Sequence, residues 1–492
     1  MRLLVIALLA LLAGCTPVKN GPDMTSVIPA PVYQVDGTGT FTLTSATTVG
    51  GVPTVAAYLA DALGLRVSTD PEVEFALGAS PAPGGYTLDV TATGIRAVAD
   101  SAAGLFEAAQ TLRQLLPPDA FVGVANSPVP LTHIEDYPRF AYRGAMLDVA
   151  RHFFTVEQVK RYIDDIALLK LNYLHLHLTD DQGWRIAIES WPELTGVGAS
   201  TQVNGGGGGY YTQDDYREIV RYAASRFITI VPEIDLPGHT NAALSAYPEL
   251  TCDGVAPAPY EGIEVGFSSL CIPSELTYQF VDDVVREVAA ITPGPYLHLG
   301  GDESLATTDE DFLSFIERAT AIAAKYGKTL IGWHEMGRST QLPTGTIGQY
   351  WSFTTPQPGA AEHTVSFVEQ GGSVIMSPAD VAYLDMKYDA NSPLGLTWAE
   401  GPTTAREAYT WDPADIIPGI TDDQLLGVEA PIWTETMVTM DDLESMVFPR
   451  LAPIAEIAWS PRADRSWDEF EPRLREFGAR LDAAGIRYTG WK

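Results

Sequence analysis

Tyr296-Leu-His-Leu-Gly-Gly-Asp-Glu303 is a short apolar run that ends in two glycines and two adjacent acids. Alternation puts His298, Gly300 and Asp302 on one face and Leu297 and Leu299 on the other, as in a buried strand. Glycines at its end leave room for a ligand or a neighbouring backbone. Asp302 and Glu303 would then overhang one cavity and meet different parts of one ligand. The bland alternative is a solvated acid pair capping the turn that follows. The flanking sequence has to choose between them.

Outward from this stretch, strands alternate with helices. Residues 142–149, 173–179, 227–236, 296–301, 330–336, 346–351, 373–376 and 425–432 read as eight strands. Helical spacing covers 156–170, 214–225 and, last, 443–458, with weak or missing helices after the third and sixth strands. Eight β/α repeats predict an α/β fold, a TIM barrel, whose chemistry sits at the C-terminal ends of its strands. Residues 28–137 instead mix short alternating stretches with two helical ones, 54–63 and 102–116. They predict a small α+β domain that packs against a barrel spanning 138–492. The five-glycine run from Gly205 to Gly209 is too featureless to be a phosphate loop.

Composition narrows the function. The chain has 492 residues, 46% of them hydrophobic, enough for a large core. A net charge of −33 repels phosphate backbones and excludes nucleic acid as a partner. At the start, Arg2, an apolar run from Leu3 to Leu12 and small residues before Cys15 form a targeting segment. Leu12-Ala-Gly-Cys15 resembles the lipobox of bacterial lipoproteins, which implies a leader over 1–15, lipidation of Cys15 and a membrane anchor facing the cell surface or periplasm. Residues 16–27 read as a flexible tether. With Cys15 acylated, Cys252 and Cys271 form an even pair in an oxidising compartment, where a disulfide is expected.

The strand ends gather polar and aromatic groups: Asp148 and Arg151, Asp180 and Asp181, then Glu233, Asp235 and His239. Asp302 and Glu303 follow, then Trp333, His334 and Glu335, and Tyr350 with Trp351. Tyr383, Asp385 and Trp398, and finally Trp433 and Glu435, complete the set. Indole faces stack on the C–H faces of a pyranose, while carboxylates and a guanidinium bind vicinal hydroxyls, so this collection describes a sugar site. Singly, each residue has a duller explanation. Tryptophans are often core, and Arg151 could merely pair with Asp148 or Asp180. His175 and His177 read as satisfied core histidines more readily than as metal ligands, for want of a clear third ligand.

Four blocks carry a closer resemblance: 143–152 (RGAMLDVARH), 175–185 (HLHLTDDQGWR), 232–240 (PEIDLPGHT) and 298–303 (HLGGDE). Together they resemble the signature of the family 20 glycoside hydrolases, the β-N-acetylhexosaminidases, and the likeness runs from about residue 28 to the C-terminus. The resemblance implies that Glu303 is the general acid/base and that Asp302 holds the substrate's 2-acetamido nitrogen. Tyr383 would donate to the acetamido oxygen, with Trp333, Trp351 and Trp398 walling that pocket and Trp433 as the floor on which the sugar stacks. Arg151 would bind the 3- and 4-hydroxyls, with Asp385 and Glu435 on the 4- and 6-hydroxyls. Asp180 and His239 would support Arg151 and Glu303. The implied partner is a carbohydrate ending in β-linked N-acetylhexosamine, and no cofactor or metal is implied. Three alternatives stay open: a related exo-glycosidase with another sugar or disaccharide specificity, a non-catalytic glycan-binding lipoprotein, and a metal-dependent hydrolase built on His175, His177 and Asp180.

Overall fold

The computed structural model describes residues 26–490. The leader, Cys15 and most of the expected tether lie outside the described residues. The tether's last two residues correct the expectation. Val27 is fully buried, and Arg473 and Arg480 donate to the Val27 carbonyl (2.9 Å) and the Ser26 hydroxyl (2.6 Å). Their donors come from a helix over Trp467–Ala484 that sequence pattern does not announce, because Pro472 interrupts it.

The N-terminal unit is a seven-stranded mixed sheet. Tyr33–Leu43, Ser127–Asp136, Tyr86–Thr91, Gly94–Ala99, Val73–Leu77, Thr48–Gly51 and Arg66–Val67 lie side by side in that order. Helix Ala102–Gln114 is buried almost all round, including Glu107, Gln110 and Arg113. A helix can bury polar residues on its far face only if something covers it, and here the cover is the barrel. Glu107 accepts from Arg143 at 3.1 Å, and Gln114 donates to the Leu168 carbonyl at 3.0 Å. At the same seam Lys170 pairs with Asp136 at 2.8 Å, both side chains fully buried.

Eight parallel strands close the second unit into a barrel. They are Tyr142–Asp148, Tyr173–His177, Thr229–Glu233, Tyr296–His298, Thr329–Trp333, Ile347–Tyr350, Val374–Met376 and Leu425–Ala430. Every strand stands where the apolar runs place it, usually shorter, because strand ends peel off into loops that carry polar side chains. Helix positions need more correction. After the third strand comes the 17-residue helix Glu275–Ile291, beyond the cysteine-bearing insertion, and after the sixth the ten-residue Ala360–Glu369. The poor positions are instead the fifth, where His334–Arg338 is a 3-10 turn, and the seventh, where Ala379–Ala382 is one turn. The expected helix over 443–458 is two helices, Met440–Val447 and Leu451–Trp459, with Pro449 between them.

The barrel interior is layered. Tyr142, Val231, Ile331, Ile347 and Ile375 fill an apolar layer. His175, Glu233, His298, Gln349 and Glu429 form a buried polar one, and a third, aromatic cluster contains Trp333, Tyr383 and Trp433.

Candidate active site

The strand that opens the site is shorter than alternation suggests. It ends at His298, and the following backbone turns left-handed at Gly300 (φ 66°), Gly301 (φ 98°) and Glu303 (φ 44°). A Cβ on Gly300 would sit 1.7 Å from Asp235 Oδ1, so only glycine lets the chain pass. A left-handed glutamate is strained backbone held by its surroundings, as is common at functional sites. This turn, rather than strand alternation, sends the two acids to different depths. The Asp302 side chain is 12% exposed and that of Glu303 32%.

Both acids answer to one histidine. His239 Nε2 lies 3.5 Å from Asp302 Oδ2 and 3.5 Å from Glu303 Oε2. Its Nδ1 is 3.2 Å from Asp180 Oδ1. Despite burial, the negative charges of Asp180, Asp235 and Asp302 hold His239 well above the usual histidine range. Asp180 Oδ2 takes Arg151 Nη2 at 2.7 Å and His177 Nε2 at 2.9 Å. Against its burial, the charges of Arg151 and His239 and the His177 hydrogen bond hold Asp180 well below the usual carboxylate range. The Arg151 guanidinium stands 4.8 Å over the Trp433 ring, and its buried Nε has no hydrogen-bond partner among the described residues.

A cavity of about 460 Å³ opens above these groups. Arg151, Asp180, His239, Asp302, Glu303, Trp333, Trp351, Tyr383, Trp398, Trp433 and Glu435 all line it. Asp385 does not line it. It is 1% exposed, with no side-chain partner for either oxygen among the described residues, and burial and the Glu435 charge push its carboxyl well up. Glu435 is itself raised to about 7 by burial, against the pull of Arg151. The aromatic walls meet edge to face: Trp351 and Trp398 at 6.0 Å, Tyr383 and Trp398 at 5.6 Å. Trp398 is 45% exposed, a rim residue, whereas Trp333 is 1% exposed. Asp302 is the more enclosed of the two acids, and, after burial, its charge pushes up the Tyr383 hydroxyl and the Glu335 carboxyl. Tyr350, the neighbour of Trp351, points away and donates to the Phe353 carbonyl at 2.5 Å.

Two strand-end acids to which sequence assigned no role belong here as well. Asp235 lines the cavity, and its Oδ1 accepts the Gly301 N–H at 3.2 Å. Burial and the neighbouring Asp302 push its carboxyl well above the usual range. Glu335 accepts the Trp351 indole N–H at 2.9 and 3.1 Å. Burial, then Asp302, raises it to about 8. Ile263, Glu264 and Val265 reach the mouth from the insertion between the third and fourth strands. No periodicity marks that loop; its one signal is the cysteine pair, which the structure joins as Cys252–Cys271. His175 and His177 have each ring nitrogen within 2.6–3.0 Å of a carboxylate: Glu429 and Glu233 for the first, Glu233 and Asp180 for the second.

A parallel barrel whose mouth joins paired acids, a buried arginine and aromatic walls defines a glycoside hydrolase. The chain belongs to glycosyl hydrolase family 20: residues 140–462 match "Glycosyl hydrolase family 20, catalytic domain" and residues 24–137 match "Glycosyl hydrolase family 20, domain 2". It is 43% identical over 487 residues to a β-N-acetylhexosaminidase of Cellulomonas fimi, covering 95% of this chain and 96% of that one. Among solved structures it resembles the N-acetyl-β-hexosaminidase of Streptomyces plicatus in complex with Thio-NAglucal. That pair shares 46% identity with a TM-score of 0.91 over 97% of this chain and 99% of the other. It also resembles an exo-β-N-acetylglucosaminidase of Vibrio harveyi in complex with N-acetylglucosamine, at 31% identity and a TM-score of 0.84, covering 96% and 79%.

Proposed function

We propose that the protein is an exo-acting, retaining β-N-acetylhexosaminidase that removes terminal β-linked N-acetylglucosamine or N-acetylgalactosamine from the non-reducing end of glycans or chitooligosaccharides. The observation that carries this is the unequal depth of Asp302 and Glu303, 12% and 32% exposed, at the same 3.5 Å from His239. Ordinary retaining glycosidases hold two carboxyls about 5 Å apart, one acting as nucleophile, and family 20 is a known exception. Adjacent acids leaving one strand end are poorly disposed for that division of labour. The acetamido oxygen of the substrate attacks the anomeric carbon instead, giving a bicyclic oxazolinium ion.

Each residue then has a defined task. Glu303, nearer the opening, protonates the departing oxygen and afterwards takes a proton from water. Asp302, deeper, sets negative charge against the acetamido N–H as positive charge grows there. The Tyr383 hydroxyl donates to the acetamido oxygen, and Trp333, Trp351 and Trp398 confine the group near attack geometry. Such confinement is worth roughly 7 kcal/mol or more. Trp433 stacks under the ring, Arg151 forks onto the 3- and 4-hydroxyls, and Glu435, with the buried Asp385 behind it, meets the 4- and 6-hydroxyl side.

Rates on p-nitrophenyl N-acetyl-β-glucosaminide and p-nitrophenyl β-glucoside test the reading. The acetamido substrate should be faster by orders of magnitude, and comparable rates would refute internal attack. We further propose export and anchoring through a lipid on Cys15, supported by the Leu12-to-Cys15 motif. Cys15→Ala should move the protein from the membrane to the soluble fraction.

A further inference from the structure

Below the cavity, and outside its lining, Glu233 sits fully buried at the end of the third barrel strand. Its Oε1 accepts the Trp333 indole N–H at 2.8 Å. Its Oε2 lies 2.6 Å from His177 Nδ1 and 3.0 Å from His175 Nε2. His177 then reaches Asp180 with its other nitrogen at 2.9 Å. A histidine that donates at both nitrogens is an imidazolium, and here it stands between two buried carboxylates. From Glu429 upward the charges alternate: Glu429, His175, Glu233, His177, Asp180, then Arg151 and His239.

We infer that Glu233 is a positioning residue for catalysis, one carboxylate that fixes the acetamide wall through Trp333 and, through His177 and Asp180, both Arg151 and His239. The inference rests on the hydrolase reading above and extends it to a residue that no substrate touches. Among the described residues, no other carboxylate both accepts from the Trp333 indole and reaches, through His177 and Asp180, Arg151 and His239. Buried polar networks of this kind hold geometry only while every member is satisfied.

The charge on Glu233 matters as well as its reach. The groups facing His177 are Glu233 and Asp180, with Arg151 and His239 behind Asp180 and the Trp433 ring edge-on at 4.8 Å. Those facing Glu233 are His175, His177 and His298, with Asp235 two residues beyond the end of its strand. Burial lowers His177, but Glu233 and Asp180 outweigh it and raise it to about 9. Removing the Glu233 charge lets His177 lose its proton at lower pH, after which it no longer donates to both carboxylates.

The test is Glu233→Gln in the full chain, assayed on an aryl N-acetyl-β-glucosaminide across pH, beside wild type and Glu233→Asp. The glutamine should cut kcat/KM by about 100-fold or more, change KM and kcat together, and move the alkaline limb down by about one pH unit. Glu233→Asp keeps the charge with a shorter reach, so it should lower kcat yet retain the wild-type alkaline limb. Should Glu233→Gln not accumulate folded, His177→Asn breaks the same line one step nearer the site, and it should show the same kcat/KM loss with no alkaline limb set by His177. Unmoved pH limbs with activity loss no greater than the loss of folded protein would overturn the inference. If wild type cleaves no N-acetyl-β-hexosaminide, the functional reading fails instead, so the two failures are separable.

Discussion

Arg151 lies over the face of Trp433, 4.8 Å from the ring centroid, while Asp180 holds its Nη2 at 2.7 Å. With Asp148 Oδ2 also 3.5 Å from Nη1, these contacts fix the orientation of one guanidinium in the cavity wall. A lysine can supply the charge but not the fork. Arg151→Lys should raise KM on aryl N-acetylglucosaminides and cost about 2–3 kcal/mol in kcat/KM, on the order of 100-fold. Steady-state kinetics checks this, and a change confined to kcat would count against hydroxyl binding.

The two adjacent acids should respond differently to the leaving group. Glu303→Gln should spare activated aryl substrates, which depart without a proton, and lose most activity on alkyl glycosides or chitobiose. Asp302→Asn should slow both classes, because stabilisation of the acetamido cation is needed in each. The measurement is log kcat against leaving-group pKa for both variants, with a steeper slope for Glu303→Gln alone.

Glu335 makes a prediction about stability. Its carboxyl rises from 4.5 to about 8 on folding. Between those values the folded protein keeps a proton that the unfolded chain has lost, so this group subtracts stability as pH rises from about 4.5 to 8. Glu335→Gln can still accept from Trp351 without that cost. Its melting temperature should exceed that of wild type at pH 8 and converge with it near pH 4.5, by calorimetry at both ends of the range.

The Cys252–Cys271 bridge spans 19 residues and staples the insertion that brings Ile263 to Val265 to the mouth. Loop-closure entropy alone assigns such a bridge about 3 kcal/mol. Cys252→Ser with Cys271→Ser should lower the denaturation midpoint and raise KM more for oligosaccharides than for small aryl glycosides. Urea titration and a two-substrate comparison read both effects.

The fold was legible where one physical signal dominates. Strands buried on both faces are near-continuous apolar runs, interrupted here by a few buried polar residues such as His175 and Glu429, so all eight barrel strands stand where the sequence puts them. Ser127–Asp136 escaped notice because Pro128 and Pro130 disguise a strand, and Trp467–Ala484 because Pro472 disguises a helix. The site's lining was legible because Trp and acid residues cluster after strand ends. The tasks of Glu233, Asp235 and Glu335 were not. What a buried carboxylate does depends on which donors neighbouring strands turn toward it, and sequence spacing along one strand is blind to that. Trp333 reaches Glu233 across 100 residues of chain.

The two ends of the described chain are laced together. Arg473 and Arg480 of the last helix hold Val27 and Ser26, and Arg480 also grips the Gln114 carbonyl of the small domain. Tension applied at the beginning of the chain is therefore borne first by its last helix, through sheared guanidinium contacts, before any strand of the N-terminal sheet is loaded. Cutting away the final helix would fray the opposite terminus, and a pull at the start would be felt by the barrel as a whole.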